Sequence, residues 1–135
     1  MQNKRAIALG SFDGLHIGHL EVIKNALSLK NDGLLPCVML FDGHPLERLT
    51  GSAPRELMTA KAREELLRKL GVTPVYVVFS EIMNMTPKEF VDSVIIKKLN
   101  AEAVCCGYNY RFGKSAAAGA EELKILCGER GIRTL

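Results

Sequence analysis

Four runs of strand length, each apolar at nearly every position, punctuate the chain: Ala6 to Leu9, Cys37 to Phe41, Val75 to Phe79 and Ala103 to Cys106. A strand with one wet face alternates apolar and polar residues, whereas a strand covered on both faces need not. These runs therefore predict a parallel sheet held between helices. The intervening stretches carry helical periodicity. Leu20, Ile23 and Leu27 share one face of a helix over 20–27, with Gly33 as its stop. Leu66, Leu67 and Leu70 form the stripe of a second helix over about 60–70, ended by Gly71. A third opens at Thr86-Pro87-Lys88-Glu89, with Thr as N-cap, Pro at the first helical position and Glu completing a capping box; Phe90, Val91, Val94, Ile95 and Leu99 follow. A fourth covers Ala120 to about Glu129. Strand and helix alternate throughout, which under the right-handed crossover rule predicts a doubly wound α/β sheet. The stretch 42–55, with Gly43, Pro45, Gly51 and Pro54, reads as an irregular surface loop suited to binding.

Composition narrows the picture. With 135 residues, 47% of them hydrophobic, the chain is expected to form one domain around one core. The net charge is +3 and the 18 Lys and Arg are scattered, so no concentrated basic face is expected and no nucleic-acid partner. No apolar run approaches the roughly 18 to 20 residues of a membrane span, and the start is too weakly apolar for a secretory signal. No membrane partner is expected, and the location expected is cytoplasmic. Cys37, Cys105, Cys106 and Cys127 contain no C-x-x-C pair and read as reduced structural thiols.

The candidate chemistry lies in Gly10-Ser11-Phe12-Asp13-Gly14-Leu15-His16-Ile17-Gly18-His19, between the first strand and the first helix. That is the carboxyl end of a strand, where open α/β sheets bind ligands. Gly10 and Gly14 let the backbone turn and approach a ligand, and the following helix points free N–H groups and a positive dipole end at it; phosphate is the natural guest. His16 and His19, three apart on one helix face, can both donate to a phosphate chain, and Gly18 removes a side chain between them. Two plainer readings stand beside this one: a capping and a packing histidine, or a metal site lacking an obvious third ligand. The glycine pattern is neither G-x-G-x-x-G nor a P-loop.

His16-Ile17-Gly18-His19 resembles the H-x-G-H signature of the nucleotidyltransferase superfamily. The longer string is similar to the G-x-F-D-G-x-H-x-G-H form of the FMN adenylyltransferase module of bacterial riboflavin kinase/FAD synthetase. Three further segments resemble that family in order: Phe41-Asp42-Gly43-His44-Pro45 its F-x-P-H-P motif, Met85-Thr86-Pro87-Lys88-Glu89-Phe90-Val91 its M-x-P-x-E-F segment, and Gly107-Tyr108-Asn109-Tyr110-Arg111-Phe112-Gly113 its G-x-[DN]-F-R-F-G motif. Asp42-Gly43 stands where the family has x-Pro, and Tyr110 where Phe is common.

The resemblance implies a Rossmann-like sheet of nucleotidyltransferase type and transfer of AMP from ATP to FMN, giving FAD and pyrophosphate. It implies His16 and His19 as catalytic residues on the ATP phosphates, and Gly10, Ser11, Phe12, Asp13, Gly14 and Gly18 as the rest of the ATP pocket. Phe41, His44, Pro45, Asn109, Arg111 and Phe112 would bind the flavin, with Tyr108, Tyr110 and Phe112 able to stack on its ring. Mg²⁺ would bridge the phosphates, with Asn109 as its protein contact. Residues 1–135 are expected to be a single nucleotidyltransferase domain cut short before a downstream Ser, Thr and Arg-rich segment, with a riboflavin kinase domain joined in the complete protein. Other H-x-G-H transferases, acting on pantetheine phosphate or glycerol phosphate, and a nucleotide- or flavin-binding module without turnover remain alternatives.

Overall fold

In the computed structural model of the protein the described residues are 4–10, 17–42 and 60–135. The chain runs through β1 (Arg5–Ala8), α1 (Ile17–Ser28), β2 (Leu35–Asp42), α2 (Ala60–Leu70), β3 (Thr73–Val78) and a single turn, α3 (Phe79–Ile82). It continues through α4 (Pro87–Glu89), which passes directly into a π-helical stretch (Phe90–Lys98), then β4 (Ala101–Cys105), the short pair β5 (Arg111–Phe112) and β6 (Ala118–Gly119), α5 (Ala120–Glu129) and β7 (Arg133–Thr134). Five strands make one sheet in the order β3-β2-β1-β4-β7, with every pairing parallel. The chain builds outward from β1 to β3, then crosses back to lay β4 against the other side of β1.

The near-continuous apolar runs are strands buried on both faces, as their pattern predicts. Ala6, Ala8, Val38, Leu40, Ala103 and Cys105 pack with Val22, Ile23 and Ala26 of α1 and Leu67 of α2. Ile7, Leu9, Met39, Val77 and Val104 face the other way, against Phe90, Val91, Val94 and Ile95 of the π stretch and Leu123 and Cys127 of α5. Helices thus cover both faces, which makes the sheet doubly wound. Small side chains dominate β1 and β4 on the first of these faces, with Ala6, Ala8 and Ala103 fully buried, so α1 sits close over the middle of the sheet.

Local signals land closely. α1 passes into a 3₁₀ turn over Leu29–Asp32 that ends at Gly33, whose φ of 83° is the left-handed stop its position predicts. The capping box at α4 is complete: Glu89 N–H donates to Thr86 Oγ1 at 3.1 Å, and Thr86 N–H to Glu89 Oε1 at 3.3 Å. Three elements differ from expectation. In α1, which runs beyond 20–27 at both ends, Ile23 is buried but Leu20 is 40% exposed and Leu27 only partly buried, the core face being made by Val22, Ile23 and Ala26. In α2 only Leu67 is fully buried while Leu70 is 36% exposed; the helix packs beside β3, the edge strand of the sheet. The third helix widens to π winding, with the Leu99 N–H reaching back five residues to the Val94 carbonyl at 2.9 Å.

An ion pair ties the two helices of the second face together: Arg130, at the end of α5, donates through Nε and Nη2 to the carboxylate of Asp92. Hydrogen bonding and charge from Arg130 hold the Asp92 carboxyl below its usual value. Its contribution is therefore present above the unfolded-state pKa of about 3.9 and lost as pH falls through the lower folded value. Asp92→Asn is expected to lower the urea midpoint at neutral pH, and the gap between variant and wild type is expected to narrow as the pH is lowered below about 3.9 and the wild-type carboxylate takes up its proton. Thr86→Ala, which removes one half of the capping box, is expected to destabilise the fold by about 1 kcal/mol in the same measurement.

Candidate active site

The last rung between β1 and β4 is the hydrogen bond from Leu9 N–H to the Cys105 carbonyl, at 2.8 Å. Beyond it the chain leaves β1 toward α1 and leaves β4 toward the β5–β6 pair. This is the point at which strand order reverses, and doubly wound sheets open a crevice there. The cleft at this edge has a volume of about 1170 Å³. Leu9, Phe41, Phe79, Ile82, Phe90 and Phe112 form an apolar wall, and His19, Asn25, Asn84, Asn109, Lys114 and Ser115 contribute polar groups. The aromatic residues brace one another: Phe41 meets Phe79 edge-on with centroids 5.2 Å apart, Phe90 tilts against Phe112 at 5.5 Å, and Tyr110 stacks on Phe112 at 5.8 Å.

Of the residues singled out from the sequence, Gly10, His19, Phe41, Asn109, Arg111 and Phe112 all line this one cleft, although they come from four separate parts of the chain. Gly18 and His19 lie in the first turn of α1. Ser11, Phe12, Asp13, Gly14, His16, His44 and Pro45 lie outside the described residues. Phe112 is buried and makes the floor beneath Tyr110, whereas Tyr108 is 95% exposed at the mouth. Arg111 is bound to the protein itself: Nε and Nη2 donate to the Ala116 carbonyl at 3.2 and 3.0 Å, and Nη2 lies 3.5 Å from the Ala117 carbonyl.

The sequence model of the FAD synthetase family matches residues 1–135. The chain belongs to the FAD synthetase family. It is 34% identical over 124 residues to the bifunctional riboflavin kinase/FMN adenylyltransferase of Listeria monocytogenes, covering 88% of this chain and 39% of that protein. It is 36% identical to the protein of the same name from Bacillus subtilis, over 84% of this chain and 37% of that one. A FAD synthetase of Listeria monocytogenes is 31% identical, with 90% of this chain and 50% of the relative covered. The chain therefore spans about two fifths to half the length of these relatives. Among solved structures, a crystal structure described as a macrolide-efflux protein from Streptococcus pneumoniae superposes with a TM-score of 0.81 at 30% identity, over 100% of this chain and 52% of that one. Among the described residues no helix is long and apolar enough to cross a membrane.

The cleft is also lined by residues that no motif in the sequence marks. Phe79, Ile82, Met83 and Asn84 follow β3 at the same sheet edge, so the rule that singles out the loops after β1 and β4 also points to them. Cys106 lines the cleft, and burial pushes its thiol up; burial, followed by the neighbouring Cys106, pushes Cys105 up to about 12. Both thiols are protonated at neutral pH, so neither is a ready nucleophile. Among the described residues no group of three His, Cys, Asp or Glu side chains is arranged to hold a metal ion by itself.

The turn between β5 and β6 is under strain. Ser115 and Ala116 have φ of 58° and 53°, left-handed values that cost non-glycine residues roughly 1–2 kcal/mol each. At the head of the turn Gly113 has φ 83° and ψ 172°, a region only glycine adopts readily, and an added Cβ would stand 3.0 Å from Pro87 Cγ. Gly113→Ala is expected to destabilise the domain by about 1–3 kcal/mol in urea unfolding, combining backbone strain with the clash against α4.

Proposed function

We propose that the protein is an FMN adenylyltransferase, transferring AMP from ATP to FMN to give FAD and pyrophosphate. The observation that supports this reading is the meeting, in one cleft, of Gly10 and His19 with the loop Gly107 to Gly113 beside an aromatic wall. A flat ring suits the apolar wall, and polyphosphate suits the amino end of α1. The cleft volume of about 1170 Å³ lies slightly above the range of about 300–1,000 Å³ usual for a single small ligand, which suits a site that takes two substrates. The relatives are named for this activity, and the bifunctional ones carry a riboflavin kinase as well. A kinase domain joined to this module, and a cytoplasmic location, are part of the same reading.

The chemistry is an in-line displacement. A phosphate oxygen of FMN attacks the α-phosphorus of ATP, the new P–O bond forms, and the bond to the β-phosphate oxygen breaks as pyrophosphate leaves with the electron pair. Such a reaction needs alignment and charge stabilisation rather than a covalent enzyme intermediate, in keeping with the protonated thiols at the cleft. His19 and His16 donate to the ATP phosphates, the positive end of α1 supports the charge that develops there, and Gly10 to Gly14 with Gly18 leave room for the nucleotide. Phe41 and Phe112 flank the flavin ring, joined by His44 and Pro45. Mg²⁺, which Asn109 would help to hold, would supply charge neutralisation at the phosphates. The side-chain oxygen of Asn109 fits it as one hard ligand, because Mg²⁺ takes most of its shell from phosphate and water rather than from a protein cage.

The test is calorimetry with ATP and Mg²⁺, then with FMN, alongside an assay for FAD and pyrophosphate in the full-length protein. Both substrates are expected to bind and FAD to form. His19→Ala is expected to lower kcat by about 10²- to 10³-fold with an unchanged thermal melt. A loss of only a few-fold removes His19 from the reaction, and turnover of a different phosphate acceptor without flavin binding moves the protein to another H-x-G-H activity.

A further inference from the structure

The Gly113–Ala117 turn adopts two left-handed residues without a glycine at either, so its own sequence does not favour the shape it has. It is held at both ends. Lys114 N–H donates to the Met85 carbonyl at 2.8 Å, and at the far end the guanidinium of Arg111 grips the carbonyls of Ala116 and Ala117. Room for that grip comes from the facing strand, where Gly119 pairs with Arg111; a Cβ at Gly119 would stand 2.8 Å from Arg111 Nη1. Between the two anchors lie Lys114 and Ser115, both exposed and both lining the cleft. Lys114 is the one lysine among the described residues that line it.

We propose that Arg111 is a positioning residue for substrate phosphate, fixing the strained turn so that the Lys114 ammonium and the Ser115 hydroxyl receive the phosphate of the flavin substrate. The inference rests on the adenylyltransferase reading and names the residues that meet the acceptor. An ammonium and a hydroxyl both donate, and a phosphate dianion accepts from both. Arg111 is suited to the supporting task because its planar fork can span two main-chain carbonyls, which a lysine ammonium cannot do in the same geometry. The structure thus separates a pair of cations in the cleft: one is spent on the backbone, the other faces the ligand.

The experiment titrates the 135-residue chain, which carries no kinase site to bind flavin or ATP, with FMN and with riboflavin, which have the same ring and differ in the phosphate, and with ATP and Mg²⁺. The variants are Lys114→Ala, Arg111→Ala, Arg111→Lys, Gly119→Ala and the double variant Arg111→Ala/Lys114→Ala, each checked by a thermal melt. Each single variant is expected to weaken FMN about 10-fold, the size of one lost charge-assisted hydrogen bond, and to leave riboflavin and ATP within about two-fold. Arg111→Lys gives no rescue. Gly119→Ala keeps every charge and only displaces the guanidinium, so it remains informative if Arg111→Ala fails to fold. The double variant is expected to be no weaker than Lys114→Ala by more than about two-fold, because both changes remove one contact. An additive loss of about 100-fold means that Arg111 touches the phosphate itself; equal losses for FMN and riboflavin mean that the turn only shapes the ring wall; a loss confined to ATP means that Lys114 serves the nucleotide. Each of these overturns the inference while leaving the adenylyltransferase standing. A wild-type protein that binds neither flavin overturns both.

Discussion

The parallel pairing of β1 with β4 is the contact on which the cleft depends. A parallel sheet cannot be built from hairpins, so the chain must lay down β1, β2 and β3 in one direction and then return across the sheet to place β4. The rung from Leu9 to Cys105 closes that return. Past it β1 leads on to α1 on one face of the sheet and β4 to α5 on the other, and the gap between the two strands belongs to neither. The small residues Ala6, Ala8 and Ala103 let α1 lie close enough to bring its first turn to the same gap.

The far side of the cleft is built differently, by a chain of local devices that hold one another. The capping box of Thr86 and Glu89 fixes the start of α4, and the Met85 carbonyl just before it receives Lys114. Gly113 packs against Pro87, and Phe90 against Phe112. A helix cap is usually considered a matter of helix stability alone. Here it also locates the β5–β6 turn, so the geometry of the wall follows from an exposed threonine and an exposed glutamate.

What was legible in the sequence had a local or periodic cause. The buried strands showed as apolar runs because both faces are covered, and α5 showed as Ala120 to Glu129 because its boundaries are set by neighbouring residues. The capping box showed because its two hydrogen bonds join residues three apart. The candidate site was legible as a set of positions through the family resemblance, but not as geometry. Nothing in Arg111 itself says that its fork is turned onto Ala116 and Ala117, since those carbonyls are presented by a turn whose left-handed residues, Ser115 and Ala116, carry no glycine signal. The two-residue strands β5 and β6 are too short to leave a pattern. The exposure of Leu70 was not legible either, since periodicity does not encode where a helix lies relative to the sheet edge.

The π winding of Phe90–Lys98 fixes the phase of this helix's buried stripe. Phe90, Val91, Val94, Ile95 and Leu99 are all buried, and the five-residue steps from Phe90 to Ile95 and from Val94 to Leu99 match the wider ladder. An α-helix turns about 100° per residue and the π stretch turns less, so rewinding it as an α-helix would swing one end of the stripe relative to the other. The helix would become more regular, and either Phe90 would leave the cleft or Leu99 would leave the core. The wider winding therefore acts as a phase shift between the aromatic wall and the sheet, and a relative with ordinary α winding in this segment would have to build that wall from a different position.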